Sequence, residues 1–232
     1  LTTQTVTSTV GSGSFSKQFT DSATDGTFDG NVQLDTISAQ SLGILIPNTV
    51  IDHVCVRYAA GCCAWRIQNA QTLLVRARGW GSELTLTNYS ECSIPPMTVN
   101  PNDILTVYPL PIDATSNDTN MLAWVGTNRS EELFFASTTS DDTLTDLTSA
   151  VNGQSLGDMF FEDTLQYVSV QLEDGARLNS CAIINDEGGT VATWYGTFRG
   201  ASAQSNYYNL DVRGLNIKVG KGFKLQVAAT TA

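Results

Sequence analysis

The stretch LNIKVGKGFKLQV, residues 215–227, decides the fold class of this chain. Apolar and polar residues alternate on both sides of the glycine-containing segment 220–222, and a period of two places the two sets on opposite faces of a strand. A connection of this length is typical of a β-hairpin. The sequence therefore predicts a terminal antiparallel hairpin whose inward face consists of Leu215, Ile217, Val219, Phe223, Leu225 and Val227.

The outer face and the turn of the predicted hairpin are basic. Lys218, Lys221 and Lys224 lie there, in a chain that has only one other lysine. Positive charge concentrated on an otherwise acidic protein favours contact with an acidic partner surface. We therefore assign these three lysines as candidate partner-binding residues.

The same pattern of short β-segments and polar turns extends back to Val32. Segments such as 50–58, 104–108 and 191–198 largely alternate and are bounded by glycine, asparagine or proline. Short strands at this spacing are typical of a sandwich or a barrel. We expect an all-β fold, an antiparallel, jelly-roll-like β-sandwich. One short helix is predicted over residues 143–151, because Asp141 and Asp142 suit its N-terminal cap and Gly153 follows its end.

Composition divides the chain into regions. Residues 1–31 are rich in serine, threonine, glycine and aspartate, which predicts an extended N-terminal arm that orders only against a partner. A β-rich region (32–112), a linker or crossing loop (113–120) and a sandwich region ending in the hairpin (121–232) follow. No repeat of fixed period is evident, so two sandwiches of similar size and one jelly-roll-like unit with an arm both stay open. The arm contributes three further candidate partner-binding residues, Phe15, Phe19 and Phe28.

Charge and hydropathy exclude two classes of partner. The net charge of −11 argues against nucleic acid, because phosphate binding requires a basic surface. No apolar run approaches the ~18 residues that a membrane helix requires. We expect neither a nucleic-acid partner nor a membrane partner.

Cysteine usage indicates the redox compartment. The chain has five cysteines, Cys55, Cys62, Cys63, Cys92 and Cys181, and no C-x-x-C pair that would suggest zinc or redox chemistry. An odd number leaves at least one thiol unpaired within a monomer. We expect reduced, mostly buried cysteines that pack as small apolar residues, and hence assembly inside a reducing cell.

Candidate catalytic and metal-binding residues are few. His53 is the only histidine, so a Ser-His-Asp arrangement has one possible base. In an alternating strand His53 shares a face with Cys55, but their Cα atoms lie about 7 Å apart, which does not favour a dyad. Cys62 and Cys63 are adjacent and point to opposite faces, and the acidic segment 21–30 lacks the spacing of a calcium loop. We assign no catalytic residue, no metal site and no cofactor.

Aromatic residues cluster in the second half of the chain. Alternation over 191–198 places Trp194 and Phe198 on one face of a strand and Tyr195 on the other. One face belongs to the core. The exposed face is suited to a subunit interface or to stacking on sugar rings.

Taken together, these features resemble a known class of protein. A Thr/Ser-rich arm, the segment NDILTVY (102–108) and the ending VGKGFKLQVAA (219–229) resemble the small β-rich virion proteins of tailed bacteriophages, most closely the decoration (cement) proteins. The resemblance is one of overall style across the last half of the chain. It implies a homotrimer without catalysis that clamps neighbouring capsomers.

From this resemblance we expect a non-enzymatic virion protein that binds the outer capsid surface. Its partner would be the major capsid protein or another virion protein, and it would be assembled in the host cytoplasm. The alternatives are a receptor- or carbohydrate-binding sandwich module, such as a fibre tip or a lectin, and a secreted hydrolase on a sandwich scaffold. Fold alone does not choose among them.

Overall fold

The structure, a computed structural model, confirms the all-β prediction. It describes residues 3–9, 15–20, 31–56, 63–81, 92–109, 119–172, 176–199 and 208–230. The chain forms two compact units, with unit 1 ending at Pro109 and unit 2 built mainly from residues 110–232. In the described residues the strands are paired antiparallel throughout.

The described residues of unit 1 form nine strands and one four-residue helix. Its elements are β1 (Thr3–Ser8), β2 (Phe15–Thr20), β3 (Asn31–Val32), β4 (Leu34–Asp35), α1 (Leu42–Leu45), β5 (Val50–Cys55), β6 (Cys63–Asn69), β7 (Val75–Gly81), β8 (Ser93–Thr98) and β9 (Asp103–Pro109).

In unit 2, the part of the chain that the structure describes forms eight strands, one four-residue helix and a short 3-10 helix at Arg213–Leu215. Its other elements are β10 (Thr119–Thr127), β11 (Glu131–Thr138), β12 (Thr145–Ser149), α2 (Leu156–Met159), β13 (Leu165–Leu172), β14 (Arg177–Ile184), β15 (Thr190–Arg199), β16 (Tyr208–Asp211) and β17 (Lys224–Thr230).

Each unit buries an apolar core contributed by two groups of strands. In unit 1 the sheets have the orders β4-β2-β1-β5-β8 and β3-β9-β6-β7. Phe19 and Ile51 from the first sheet and Ile67 and Leu105 from the second belong to one fully buried cluster. Alternate residues of strands on the two sheets therefore form the core, as expected for a sandwich.

The two units repeat one topology. The sheet of unit 2 has the order β15-β14-β17-β12-β11-β10-β13-β16. Read outward from β12, one half (β12-β11-β10-β13-β16) matches the first sheet of unit 1, and the other (β12-β17-β14-β15) matches the second. The single strand β12 takes the place of β3 and β4 together. The chain is therefore an internal duplication that the sequence pattern did not reveal.

A short sequence motif marks the duplication. The tetrapeptide QSLG occurs at residues 40–43 and again at 154–157, at the start of α1 and of α2. A Cβ at Gly43 would lie 2.5 Å from the carbonyl oxygens of Asn100 and Pro101, and a Cβ at Gly157 would lie 2.5 Å from the backbone nitrogen of Phe223. Glycine is required at both positions because the backbone preceding the last strand of each unit touches the helix.

Backbone hydrogen bonds after the two helices also match. The N–H of Asn48 donates to Val99 at 2.8 Å, and the N–H of Glu162 donates to Val219 at 2.9 Å. Asn48 and Glu162 both have a positive φ, 60° and 67°. Such values are uncommon outside glycine, so the same turn geometry is built twice from different residues.

The predicted terminal hairpin does not form. Residues 217–219 pair instead with the start of β13, where Leu165 donates to the carbonyl of Ile217 and Val219 donates to the carbonyl of Asp163. Strand β17 pairs with β12 and β14. The predicted inward face is nevertheless largely correct, since Ile217, Val219, Leu225 and Val227 are buried, whereas Leu215 is 54% exposed and Phe223 is half-buried.

Two other predictions are wrong because strand pairing outweighs the local sequence signals. The expected arm contains β1 and β2, which pair with each other and, through β1, with β5. The expected helix over 143–151 is strand β12, because pairing with β11 and β17 outweighs the helix-cap signals. The predicted linker 113–120 lies outside the described residues except for Thr119 and Asn120, which begin β10.

Candidate functional site

The three candidate lysines lie close together in sequence but in different settings. Lys224 on β17 forms an ion pair with Asp146 at 2.6 Å. Lys218 is exposed, and its ammonium lies 3.9 Å from the Glu162 carboxylate. Lys221 is exposed in the turn before β17. Lys218 and Lys221 are therefore better placed than Lys224 to meet a partner.

Of the three candidate phenylalanines, only Phe19 has a side chain that the structure describes. Phe19 is fully buried in the core of unit 1. Its assignment as a partner-binding residue is therefore wrong, because β2 is a sheet strand and not an arm. Phe15 begins β2 opposite Ser8, and its side chain lies outside the described residues, as does Phe28.

A surface groove of about 590 Å³ runs along one edge of unit 2. Strand β15 forms one wall, and the segment 215–218 with Phe223 forms the other. Trp194 packs against the core and lines the groove, whereas Tyr195 is exposed, which confirms the predicted division of these two residues between opposite faces. Polar groups from Thr193, Asn216 and Lys218 accompany the apolar lining.

Strand β15 is the terminal strand of its sheet. It pairs with β14, and on its other side no strand is present among the residues that the structure describes. Tyr195 is 79% exposed and Val191 is 41% exposed. Natural proteins usually blunt such edges with charge or proline, and this one carries apolar and aromatic side chains instead.

A second constellation lies in unit 1, around the only histidine. The Nδ1 of His53 lies 2.8 Å from a carboxylate oxygen of Asp52, and its Nε2 lies 3.2 Å from the hydroxyl of Ser93. Adjacent strand residues normally point to opposite faces. Here the pairing of β5 with β8 shifts register, with Ile51 opposite Met97 and His53 opposite Ser93, and this irregularity in β8 brings Ser93 opposite His53.

The carboxylate of Asp52 is held in its ionised form. It is 7% exposed and accepts hydrogen bonds from the backbone N–H of Thr9 at 3.0 Å and from the Thr9 hydroxyl. Burial alone would raise the pKa of Asp52, but the hydrogen bonds from Thr9 and His53 outweigh it and hold that pKa below its ordinary value of 3.8. Because a carboxylate only accepts, Nδ1 of His53 carries a proton, and in the neutral imidazole Nε2 faces Ser93 as an acceptor.

A disulfide lies next to this constellation. Cys55 and Cys92 are bonded, with their Cα atoms 5.0 Å apart. The prediction of reduced cysteines is therefore wrong for this pair. The bond joins the end of β5 to the residue before β8. The bond fixes Ser93 beside His53, since Cys92 precedes Ser93 and Cys55 shares the strand of His53.

The remaining described cysteines are buried. Cys63 and Cys181 are both fully shielded from solvent, in agreement with their expected packing role. Burial raises the pKa of the Cys181 thiol to about 12. Cys62 lies outside the described residues.

Sequence reasoning missed the Asp52–His53–Ser93 arrangement because its decisive signals are not local. Asp52 and His53 are neighbours that strand alternation would place on opposite faces, and Ser93 comes from β8, which is 40 residues further along the chain. Among the described residues, no group of three or more metal-ligating side chains converges on a common point. Across the same part of the chain, no helix has the length and apolarity to cross a membrane.

Comparison with known proteins gives no relative. No protein-family model, no curated protein and no solved structure matches this chain. Function must therefore be argued from the sites themselves.

Proposed function

We propose that this chain is a structural protein of a virus particle, a decoration (cement) protein that binds the outer shell as a homotrimer. The observation that carries the proposal is the open edge of β15, with Tyr195 and Val191 exposed on that strand. An unpaired strand edge is a template for pairing with another chain, and exposed aromatic residues anchor interfaces. An assembly contact at this edge would cover both.

Charge supports the same role. The net charge of −11 suits a protein that displays one face to solvent. Lys218 lines the groove, so positive charge lies beside the open edge on an otherwise acidic chain. This pairing of an apolar edge with a local cation suits an acidic partner surface.

The disulfide indicates the redox environment in which the protein works. Disulfides persist in oxidising surroundings and are rare in the cytosol. The Cys55–Cys92 bond therefore favours a protein that works outside the cell, which the exterior of a released particle provides. The bond also supports the competing extracellular binding module.

Carbohydrate binding is the second candidate, and the lining of the groove favours it. Trp194 and Phe223 provide aromatic surface, while Thr193, Asn216 and Lys218 provide hydrogen-bonding groups. Sugar sites combine aromatic stacking with a few polar groups. Trp194→Ala should abolish retention on immobilised glycans under this alternative and leave particle binding little changed under the cement proposal.

The edge of β15 can be tested by the oligomeric state. Light scattering coupled to gel filtration should give about three times 24.9 kDa for the wild type. Tyr195→Lys places a charge on the open edge and should yield a monomer. Phe161→Lys is the matched control, because Phe161 is 52% exposed in the same unit but does not lie on β15. A monomeric wild type, or equal effects of the two variants, would contradict the proposed contact.

The lysines provide an independent readout. Lys218→Glu with Lys221→Glu should weaken binding to purified particles and reduce its salt dependence. Lys224→Glu should instead lower stability, because it places a carboxylate opposite Asp146. Unchanged particle binding by the double variant at low salt would exclude a basic contact.

A further inference from the structure

We propose that Ser93, His53 and Asp52 form a nucleophilic site in unit 1 that cleaves carboxylic esters presented at the protein surface. The activity is additional to the proposed assembly role and independent of it. The site lies on β5 and β8 of unit 1, whereas the open edge and groove belong to unit 2.

The geometry supplies a nucleophile, a base and an orienting group in series. Ser93 Oγ lies 3.2 Å from His53 Nε2, and His53 Nδ1 lies 2.8 Å from Asp52 Oδ1. These separations match the hydrogen-bond reach required between a serine and its base, allowing for the looser contacts of an enzyme without substrate. Such triads are recognised by geometry and not by sequence order.

Asp52 is a suitable orienting group. Its carboxylate is nearly buried and is fixed by two hydrogen bonds from Thr9, from the backbone N–H to Oδ1 and from the hydroxyl to Oδ2. It holds Nδ1–H of the imidazole toward itself, so the lone pair of Nε2 points at the serine hydroxyl. The same carboxylate stabilises the imidazolium that forms when Ser93 is deprotonated.

The duplication shows that this arrangement is specific to one copy. The strand β13, which matches β5, pairs with β16 without a register shift, whereas β5 shifts register against β8 between Ile51 and His53. At the positions matching Asp52, His53 and Ser93, unit 2 has Gln166, Tyr167 and Asp211. Within the described strands, the register shift beside His53 therefore has no equivalent in unit 2, and only unit 1 carries groups there that can perform acyl transfer.

The reaction balances without a cofactor. Ser93 Oγ attacks the acyl carbon of the ester as its proton moves to His53 Nε2. The bond between the acyl carbon and the alkoxy oxygen then breaks, and His53 returns the proton to the leaving alcohol. Water then attacks the acyl carbon as His53 accepts its proton. The bond between the acyl carbon and Ser93 Oγ breaks, His53 returns the proton to Oγ, and the carboxylic acid leaves.

Exposure defines the substrate class. Ser93 is exposed on β8, the terminal strand of its sheet, while the His53 side chain is 16% exposed. A small acyl group at the end of a larger, protruding molecule reaches such a hydroxyl. Esters whose acyl group is long or enclosed do not suit the site.

A fluorophosphonate probe tests the nucleophile directly, because attack by an activated serine displaces fluoride and leaves a stable phosphonyl adduct. The whole chain should be labelled with its Cys55–Cys92 disulfide intact, and mass spectrometry should locate the adduct on Ser93. Other exposed serines, such as Ser137 on β11, serve as internal controls in the same digest. His53→Gln should slow labelling by about 10²-fold or more, the usual contribution of a general base.

Two further variants keep the test decisive if His53→Gln perturbs folding. Ser93→Ala changes an exposed side chain and should fold normally, lose the adduct and lose hydrolysis of p-nitrophenyl acetate. Asp52→Asn retains the shape of the side chain and should slow labelling while leaving the oligomeric state unchanged. Labelling spread evenly over exposed serines, or hydrolysis that survives Ser93→Ala, would overturn the proposal without touching the assembly role.

Discussion

Replacing Gly157 by alanine should destabilise unit 2 through a direct clash with backbone. The added Cβ would lie 2.5 Å from the nitrogen of Phe223 and 2.6 Å from both the carbonyl oxygen of Gly220 and the nitrogen of Gly222. Real Cβ atoms do not approach so closely, and none of these neighbours is the end of a flexible side chain. The segment before β17 would have to move away from α2.

The magnitude follows from two opposing effects. Overpacking costs about 1–3 kcal/mol, and three backbone contacts place Gly157→Ala near the upper end of that range. Alanine recovers about 1 kcal/mol of helix propensity in α2. The net loss is about 2 kcal/mol, which shifts the urea midpoint by roughly 1 M for an m-value of about 2 kcal/mol/M.

Urea unfolding followed by circular dichroism measures this shift, and the chain offers matched controls. Gly43→Ala meets the equivalent backbone contacts in unit 1 and should cost a similar amount. Gly214→Ala places its Cβ where no atom lies within 4 Å and should stay within about 0.5 kcal/mol. If the Gly43 and Gly157 variants were as mild as the Gly214 variant, the close contact that defines the repeat would be refuted.

Three further predictions concern packing, redox state and acid stability. Leu225→Ala should lower the free energy of unfolding by about 2–5 kcal/mol, because the side chain is fully buried. Gln226→Ala should lower it by about 1 kcal/mol, through the loss of one hydrogen bond to Asp146. Equal losses in denaturant melts would contradict the register of β17. Alkylation of denatured, non-reduced protein should leave Cys55 and Cys92 unmodified, and mass spectrometry detecting both as alkylated would exclude the disulfide. The pKa of Asp35 is lowered mainly by hydrogen bonds from the backbone N–H and the hydroxyl of Ser38. The stability that Asp35 contributes is therefore present above its unfolded pKa of 3.8 and is lost as the pH falls through the folded pKa. The melts of Asp35→Asn and wild type should converge between about pH 5 and pH 2, and a constant difference would contradict this.

Periodicity in the sequence predicted faces of strands better than it predicted their partners. The alternation over 217–227 correctly identified Ile217, Val219, Leu225 and Val227 as buried. It failed to predict the absence of the hairpin, because two-residue periodicity shows which side chains share a face but does not show which strand pairs alongside. Residues 217–219 found their partner at the start of β13, which is distant in the chain.

Composition misled where pairing is decided by tertiary context. The polar segment that contains β1 and β2 has the composition of an extended arm, yet the buried side chains of Val6 and Phe19 anchor both strands in the core of unit 1. The helix-cap residues around β12 likewise did not outweigh two strand neighbours. The QSLG motif at 40–43 and 154–157 was a readable signal of the duplication, but four identical residues in an otherwise diverged pair do not form a periodic pattern.

The candidate sites depend on contacts that sequence spacing does not encode. Trp194 and Tyr195 were correctly divided between two faces, but the open edge of β15 follows from strand order. The meeting of Ser93 with His53 depends on a bulge and on β8 returning beside β5. Neither feature has a local signature.

The most direct test of the central claim is whether this chain is part of a virus particle. Particles from the source of the chain would be banded on a density gradient, and each fraction would be quantified by mass spectrometry for this chain and for the most abundant capsid protein. The proposed role predicts that the two proteins peak together at a constant ratio and that Tyr195→Lys protein, added to particles stripped of the wild type, fails to rebind. Recovery of the chain only in particle-free fractions, with no binding to particles at any salt concentration, would contradict it.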